Sequence, residues 1–190
     1  MFKWFGRICI LTAAVLAGYV FFLHWDTDRI AAQAQGTLRQ EFNQQHPRGS
    51  GPKADTATGL PGQAYANLLI PAIHLDVIVV QGTDPASLTQ GPGHYPGSAN
   101  PWDAHGEVAI AGHRTTYLHP FWSLDELREG DQITLVTHHG TFSYSVAKVA
   151  TVSPGDVHVT DQTPDPTLVL TTCTPRFSAS NRLVVFASRN

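Results

Sequence analysis

The pattern of apolar and polar positions divides the 190-residue chain into three parts. No charged residue interrupts the run from Ile8 to Leu23, and flanking aromatic residues extend it toward the ~20 residues that cross a bilayer core. Trp4 and Trp25 stand where the aromatic belts of a membrane helix stand. Residues 1–25 are therefore predicted to form an uncleaved N-terminal transmembrane anchor.

A cleaved signal peptide is the alternative, because the basic residues Lys3 and Arg7 precede the run. However, residues 24–29, "HWDTDR", lack the small residues that a signal peptidase requires. For a retained anchor, the positive-inside rule places the N-terminus in the cytoplasm, since Asp26 and Asp28 follow the span. The chain is then a single-pass protein of the cell membrane, with its larger part outside the cell.

The segment from residue 26 to residue 62 is predicted to be a stalk and a flexible linker. Apolar residues recur in residues 26–45 at a spacing of four, but Gly36 interrupts this weak stripe, which predicts a marginal juxtamembrane helix. Residues 46–62 are dense in Pro, Gly and small polar residues, as flexible linkers are. The apolar positions of the stripe are Ile30, Ala34, Leu38 and Phe42.

After the linker the pattern changes to seven short β-rich runs separated by Gly, Pro, Asp and Asn. Such a pattern is typical of an antiparallel sandwich or barrel of about seven or eight strands. Only residues 120–130 favour a helix, because Ser123 and Glu126 have the spacing of a capping box. Residues 63–190 are thus predicted to form one mostly β domain. The runs are residues 66–73, 75–82, 106–113, 131–138, 141–153, 166–173 and 182–188.

Composition excludes some classes of function. A net charge of -3 and a pI near 6.3, without a cluster of Lys and Arg, argue against nucleic-acid binding. Cys9 and Cys173 would have to join the membrane segment to the domain, so both are read as free thiols. The acidic loop of residues 153–166 lacks the order of a calcium-binding loop, and no zinc motif occurs, so neither a metal nor a cofactor is expected.

Three residues are candidates for catalysis. Cys173 ends a strand-like run, and a thiol at a strand tip can be reached by a substrate. A catalytic thiol needs a proton-transfer partner, and His113 follows another apolar run at its end. Arg182 opens the last run, where its guanidinium can stabilise an oxyanion. Taken singly, each has an ordinary structural alternative: a buried thiol, a capping histidine and an arginine at a sheet edge.

Their joint order resembles that of a known family. The blocks "AIAGHRTTYLHPFWSLDELREGDQITL" and "TLVLTTCTPRFSASNRLVVFA" are similar to the two signature blocks of sortases, the cysteine transpeptidases of Gram-positive cell surfaces. The resemblance covers about residues 64–188 and implies a closed eight-stranded β-barrel. It further implies that Cys173 attacks a sorting signal between Thr and Gly, that His113 transfers protons, and that Arg182 and Thr172 hold the oxyanion or the peptide.

The same resemblance suggests a subclass and partners. "TTCTPRFSASNR" and "QGPGHYPGSANP" look most like class E sortases, the housekeeping type of high-GC actinobacteria. In that class Tyr95 would help to select a signal of the LAxTG kind in place of LPxTG, although a tyrosine in a loop is otherwise a surface lid. The implied partners are proteins that carry such signals, the amine of a peptidoglycan precursor, and the membrane. A thioacyl enzyme would link the two half-reactions.

Two other functions stay open. An L,D-transpeptidase is another β-rich cell-wall enzyme with a Cys–His pair, but it carries a histidine and a glycine directly ahead of its thiol, and "TLVLTTC" lacks them. The alternative without catalysis is a membrane-tethered β-barrel binding module with an incidental thiol.

Overall fold

The structure is a computed structural model that describes residues 2–45 and 60–190. It begins with one continuous helix, α1, which runs from Phe2 to Gln45. Gly36 does not interrupt this helix, since the cost of about 1 kcal/mol for a glycine in a helix is small against the packing of the C-terminal half. The greater part of the predicted linker, residues 46–59, lies outside the described residues.

The N-terminal half of α1 is exposed over residues 6–23. Its most apolar stretch of 18 residues has a mean hydropathy of 2.0, and none of its residues is buried. Within the described residues, α1 is the single helix that is long and apolar enough to cross a membrane. An exposed apolar surface of this size is unfavourable in water and is stable in an apolar environment.

The C-terminal half of α1 packs against the barrel, so the marginal stalk helix is a docked element. Leu38 and Phe42 are buried against β1 and β2, and Gln35 exchanges hydrogen bonds of 2.8 and 2.9 Å with the backbone of Ile78. The predicted stripe was wrong at Ile30, which is exposed, while its neighbour Ala31 is buried. Because an α-helix has 3.6 residues per turn, residues spaced always by four drift around the helix, whereas alternating spacings of three and four stay on the face that packs against the barrel.

Eight strands close into one barrel, in the order β1-β2-β3-β4-β7-β8-β6-β5. The prediction of a mostly β, eight-stranded closed barrel is therefore confirmed. Two pairs, β2 with β3 and β4 with β7, are parallel, so the expectation of a purely antiparallel arrangement was wrong. The strands are β1 Ala64–Ile70, β2 Leu75–Gln81, β3 Gly93–His94, β4 Glu107–Ala111, β5 Gln132–Thr137, β6 Gly140–Val152, β7 Thr167–Thr174 and β8 Asn181–Arg189.

Strand β3 has only two residues and no hydrophobic run, so the sequence pattern did not indicate it. A side chain at Gly93 would collide with the carbonyl oxygen of Gly82, and glycine is thus needed where these backbones meet. A further helix, α2, covers only Pro85–Leu88, and the Asp84 carboxylate accepts hydrogen bonds from the first turn.

The predicted helix over residues 120–130 is a series of turns around one short 3-10 helix, Leu124–Glu126. The Ser123 hydroxyl donates to the Glu126 carboxylate at 2.9 Å and does not cap a backbone N–H, so the capping box does not form. Phe121 and Leu124 are fully buried beneath the segment. Tertiary packing of these two side chains therefore decides its conformation.

The core fills the barrel, and a second, smaller apolar cluster covers part of its outer wall. Because side chains alternate along a strand, β4, β7 and β8 send every second residue inward. The opposite faces of the same strands carry a separate apolar cluster of Ala109, Val169 and Val184. The inward residues of this wall are Val108, Ile110, Leu168, Leu170, Leu183, Val185 and Ala187.

Candidate functional site

Strands β7 and β8 hold Cys173 and Arg182 side by side. The two residues are direct partners in the antiparallel register, and both are partly exposed. Directly paired residues have Cβ atoms about 4.5–5.5 Å apart and share one face of the sheet. The thiol and the guanidinium therefore stem from adjacent points on the outer face of the barrel wall.

Strand β4 brings His113 to the same end of the wall. The parallel register pairs Glu107 with Thr167 and Ala111 with Thr171, a constant offset of 60 positions. The ladder extends one step further, since the Gly112 N–H donates to the Thr171 carbonyl at 3.0 Å. His113 follows directly, and the same offset leads from it to Cys173. The three sequence-predicted residues thus lie at the ends of three neighbouring strands.

The environment of His113 is half-buried. Its ring lies 5.0 Å from the ring of Tyr117, measured between centroids, and its backbone carbonyl accepts a hydrogen bond from the Phe121 N–H at 3.1 Å. Burial lowers the pKa of the His113 imidazole, because desolvation disfavours the charged form. The neutral imidazole consequently dominates at neutral pH.

The glycine before His113 has a packing role. A side chain at Gly112 would lie within 2.6 to 3.0 Å of ring atoms of Phe121. Since Phe121 is fully buried, this ring cannot retreat. Gly112 therefore leaves room for the Phe121 ring, and the Phe121 backbone in turn holds His113 through a hydrogen bond.

Arg182 is held by its own loop. Its guanidinium donates to the backbone carbonyls of Ala179 at 3.0 Å and Asn181 at 3.2 Å. Both bonds use the terminal nitrogen Nη1 and therefore hold one side of the guanidinium. The side chain is therefore positioned beside Cys173 with donor capacity left for a ligand.

Thr172 has a different environment from the one the sequence led us to expect. Its side chain is 3% exposed, and its hydroxyl donates to the Gly112 carbonyl at 2.7 Å. Alternation along β7 directs it away from the face of Cys173. The hydroxyl thus ties β7 to the end of β4, just before His113.

Tyr95 lies on the same outer face as Cys173. Its hydroxyl is 3.1 Å from the hydroxyl of Thr171, and its backbone N–H donates to the Ala109 carbonyl at 2.9 Å. The side chain packs on the outer cluster of Ala109, Val169 and Val184, to which the β6–β7 segment adds Val159. Ala109, Val169 and Val184 are fully buried, so Tyr95 covers the outer wall beside the strand that carries the thiol.

Sequence reasoning missed Arg114, which is 4% exposed. Its guanidinium donates to the Thr174 hydroxyl at 2.8 Å and to the Cys173 carbonyl at 3.4 Å, and it forms an ion pair with Asp125 at 2.8 Å. Arg176 also pairs with Asp125, at 3.0 Å. An arginine directly after "AGH" is the signal that could have revealed it, because buried arginines are almost always paired.

A thiol, an imidazole and a guanidinium on one wall of a closed β-barrel define a candidate cysteine-enzyme site. Comparison with known proteins agrees with this class. The model of the Sortase domain family matches residues 68–190. Sortase D of Bacillus subtilis (strain 168) is 34% identical over 195 residues, which cover 95% of this chain and 94% of the relative.

Relatives of a second class have nearly the same identity to this chain. Sortase SrtE1 of Streptomyces coelicolor is 32% identical over 95% of this chain, and the chain spans 55% of that relative's length. A crystal structure of Sortase E1 from S. coelicolor with a tripeptide in the active site covers 70% of this chain and 91% of its own, with a TM-score of 0.66 and 32% identity. The chain belongs to the sortase family, whose members are cysteine transpeptidases.

Proposed function

We propose that the protein cleaves the C-terminal sorting signal of surface proteins between Thr and Gly and joins the new carboxyl end to a cell-wall amine. The observation that carries the proposal is the convergence of His113, Cys173 and Arg182 at the ends of β4, β7 and β8. Sorting-signal proteins and cell-wall amines are the substrates of sortases in general. The catalytic unit is proposed to comprise residues 63–190.

In the first half-reaction the Cys173 thiolate attacks the carbonyl carbon of the Thr–Gly bond and forms a tetrahedral oxyanion. His113, as imidazolium, donates a proton to the glycine nitrogen when the C–N bond breaks. The glycine-containing fragment leaves, and a thioester joins the threonine carbonyl to Cys173. In the second half-reaction neutral His113 removes a proton from the incoming amine, which attacks the thioester and restores the thiolate.

Arg182 is proposed to stabilise the oxyanion or to hold the peptide carbonyl. Two loop carbonyls fix its guanidinium beside the thiol, so little reorganisation is needed during the reaction. It does not serve as the acid, since a guanidinium keeps its protons in proteins. The lowered pKa of His113 means that the reactive ion pair of thiolate and imidazolium is a minor protonation state at neutral pH.

We further propose a class E specificity, with Tyr95 contributing to recognition of an alanine-containing LAxTG signal. The position of Tyr95 supports this role. Its hydroxyl contacts Thr171, which lies on the same face of β7 as Cys173 and two residues before it. Tyr95→Phe removes only the hydroxyl. It should lower the ratio of kcat/KM for LAxTG over LPxTG peptides, and an unchanged ratio would refute the role of the hydroxyl.

The protein is proposed to be anchored by α1, with its N-terminus in the cytoplasm and its barrel outside the cell. The exposed apolar surface of the N-terminal half of α1 supports the anchor, and the charges on either side of the run support the orientation. Protease treatment of intact cells should remove the barrel. A barrel that is protected until the cells are lysed would overturn the orientation.

The test of the proposed activity compares the two thiols of the chain. Full-length protein should cleave LAxTG or LPxTG peptides, and added triglycine or diaminopimelate should yield the transpeptidation product. Cys173→Ala should abolish both reactions, whereas Cys9→Ser should retain them, because Cys9 lies in the exposed part of α1. Absent turnover in the parent protein, or unchanged turnover in Cys173→Ala, would exclude the proposal and favour a binding module.

A further inference from the structure

Two loops at the site end of the barrel present apolar side chains to the outside. Phe177 follows Cys173 by four residues and is 75% exposed, and Leu118 follows His113 by five residues and is 39% exposed. Both residues have positive φ angles, 64° and 62°, which bulky residues rarely adopt. The loops therefore hold these side chains outward at a conformational cost. We call Phe177 and Leu118 the apolar rim.

Both members of the apolar rim lie next to α1. Phe177 forms one side of a surface recess whose other side belongs to the exposed apolar run of the helix. Leu118 is tied to the residues just beyond that run, since its N–H donates to the Asp28 carboxylate at 2.8 Å. The helix residues that line the recess are Leu16, Ala17, Val20, Phe21 and His24.

The course of α1 assigns a direction to the barrel. Phe42 packs near the β5–β6 turn, with its ring 6.0 Å from that of His138, whereas Phe21 lines the recess beside Phe177. At 1.5 Å per residue, these two helix positions are about 30 Å apart along the axis. The site end of the barrel therefore meets the apolar run, and the β5–β6 turn points away from it.

We propose that Phe177, the member of the apolar rim that faces the apolar run, inserts into the outer leaflet of the lipid bilayer, while Leu118 and the cleft of Cys173 lie at the level of the lipid headgroups. The proposal rests on the membrane anchor proposed above. Lipid is the fitting occupant because the recess beside Phe177 is continuous with the helix surface that lipid would already surround. Its consequence is a preference for polypeptide substrates tethered to the same bilayer over soluble ones.

Aromatic and cationic side chains beside the rim suit such a depth. Trp122 contacts Phe177 edge-on with centroids 5.9 Å apart, and the Arg176 guanidinium lies 4.6 Å above the Trp122 ring. On α1, Arg29 lies 4.6 Å above the ring of Trp25. Tryptophan and arginine favour the interface between hydrocarbon and headgroups, where the ring is shielded and the cation reaches phosphate.

Spin labels can measure the depth without relying on catalysis. The full chain with Cys9→Ser and Cys173→Ser is labelled at one introduced cysteine and placed in phosphatidylcholine–phosphatidylglycerol vesicles. A label at Val15 reports the span, one at Phe177 reports the rim, and one at Thr141 reports the β5–β6 turn. A label at Ala179, in the same loop as Phe177, leaves the Phe177 side chain intact. Accessibility to oxygen and to a water-soluble nickel complex then gives the immersion of each label.

The proposal expects high oxygen and low nickel accessibility at Val15 and Phe177, an intermediate result at Ala179, and the reverse at Thr141. Immersion at Val15 with nickel-accessible labels at both Phe177 and Ala179 would overturn the insertion and leave the anchor intact. A nickel-accessible label at Val15 would overturn the anchor and the insertion together. Shielding of Phe177 from oxygen and nickel alike would indicate a protein occupant and also overturn the proposal.

A second experiment uses the Phe177→Ser variant of the otherwise unchanged full chain in vesicles. The variant should turn over a sorting-signal peptide tethered by an acyl chain several-fold more slowly than the parent protein, and a soluble peptide at the parent rate. Phe177→Trp should retain both rates, because tryptophan also inserts at the interface. An equal loss with both peptides would assign Phe177 a local role in the site and overturn the proposal.

Discussion

The two ends of strand β4 bury ionisable groups in opposite ways. At its start, Glu107 is 4% exposed, and its carboxylate accepts a hydrogen bond from Thr167. The side-chain amide of Gln162 accepts from the backbone N–H of Glu107 and donates to its backbone carbonyl. Just beyond its end, His113 is half-buried, and among the described residues no hydrogen bond to its ring is found. The first end is closed by the β6–β7 segment, whereas the second is the open end, where His113 is partly exposed.

The largest expected effect falls at the open end. His113→Ala should lower kcat/KM by roughly 10²–10⁴-fold, since general acid–base catalysis contributes about that much. The thermal midpoint should change little, because the ring is half-buried and the backbone bonds around it persist. His119→Asn is the matched control, as His119 is exposed and asparagine tolerates its φ of 40°. A similar loss in both variants would contradict the assignment of His113.

At the closed end the expected effect depends on pH. Burial, together with the negative charge of Asp161 and against the hydrogen bond from Thr167, raises the pKa of Glu107 from 4.5 to about 7. Folding therefore favours the protonated carboxyl, and this contribution to stability is complete below pH 4.5 and is lost as the pH rises through 7.

Glu107→Gln should accordingly stabilise the protein at pH 8, by at most ~3 kcal/mol, and leave its stability at pH 4.5 nearly unchanged. Urea unfolding at both pH values measures the difference. His113 has the opposite sign, since its lowered pKa makes the folded state lose stability as the pH falls through that pKa. Parallel stability curves for Glu107→Gln and the parent protein would show that folding leaves the pKa of Glu107 unchanged.

The buried arginine at the open end should have an effect of intermediate size. Arg114→Met leaves the Thr174 hydroxyl and the Cys173 carbonyl without a buried donor, which should cost about 1–3 kcal/mol of folding stability. One of these acceptors is the backbone carbonyl of Cys173 itself, and the other is the side chain of the next residue. Their loss should therefore shift the thiol, so kcat should fall while KM changes less. Arg176→Met, which removes the more exposed partner of Asp125, should cost less. Equal costs would show that the ion pair matters more than the contacts to β7.

The fold and the site differ in how far the sequence predicts them. Seven of the eight strands follow from short β-rich runs between turn residues, whereas β3 depends on the close approach of Gly93 to Gly82, which no local pattern records. The site order is visible in the sequence, but the partnership of Arg114 with Asp125 arises only when the turn above β4 folds over Phe121. The docking of α1 was missed because its polar anchor, Gln35, looks like surface.

The smallest expected effect tests which way Thr172 faces. Thr172→Val keeps the shape of the side chain but removes the hydrogen bond to the Gly112 carbonyl, so it should cost about 0.5–1.5 kcal/mol of folding stability. Thr151→Val is the control at an exposed position of β6, where little change is expected. If the hydroxyl serves the strand pair, KM for the sorting peptide should match that of the parent protein under conditions where both are folded. A raised KM without a loss of stability would instead place the hydroxyl against the substrate, as the sequence resemblance implied.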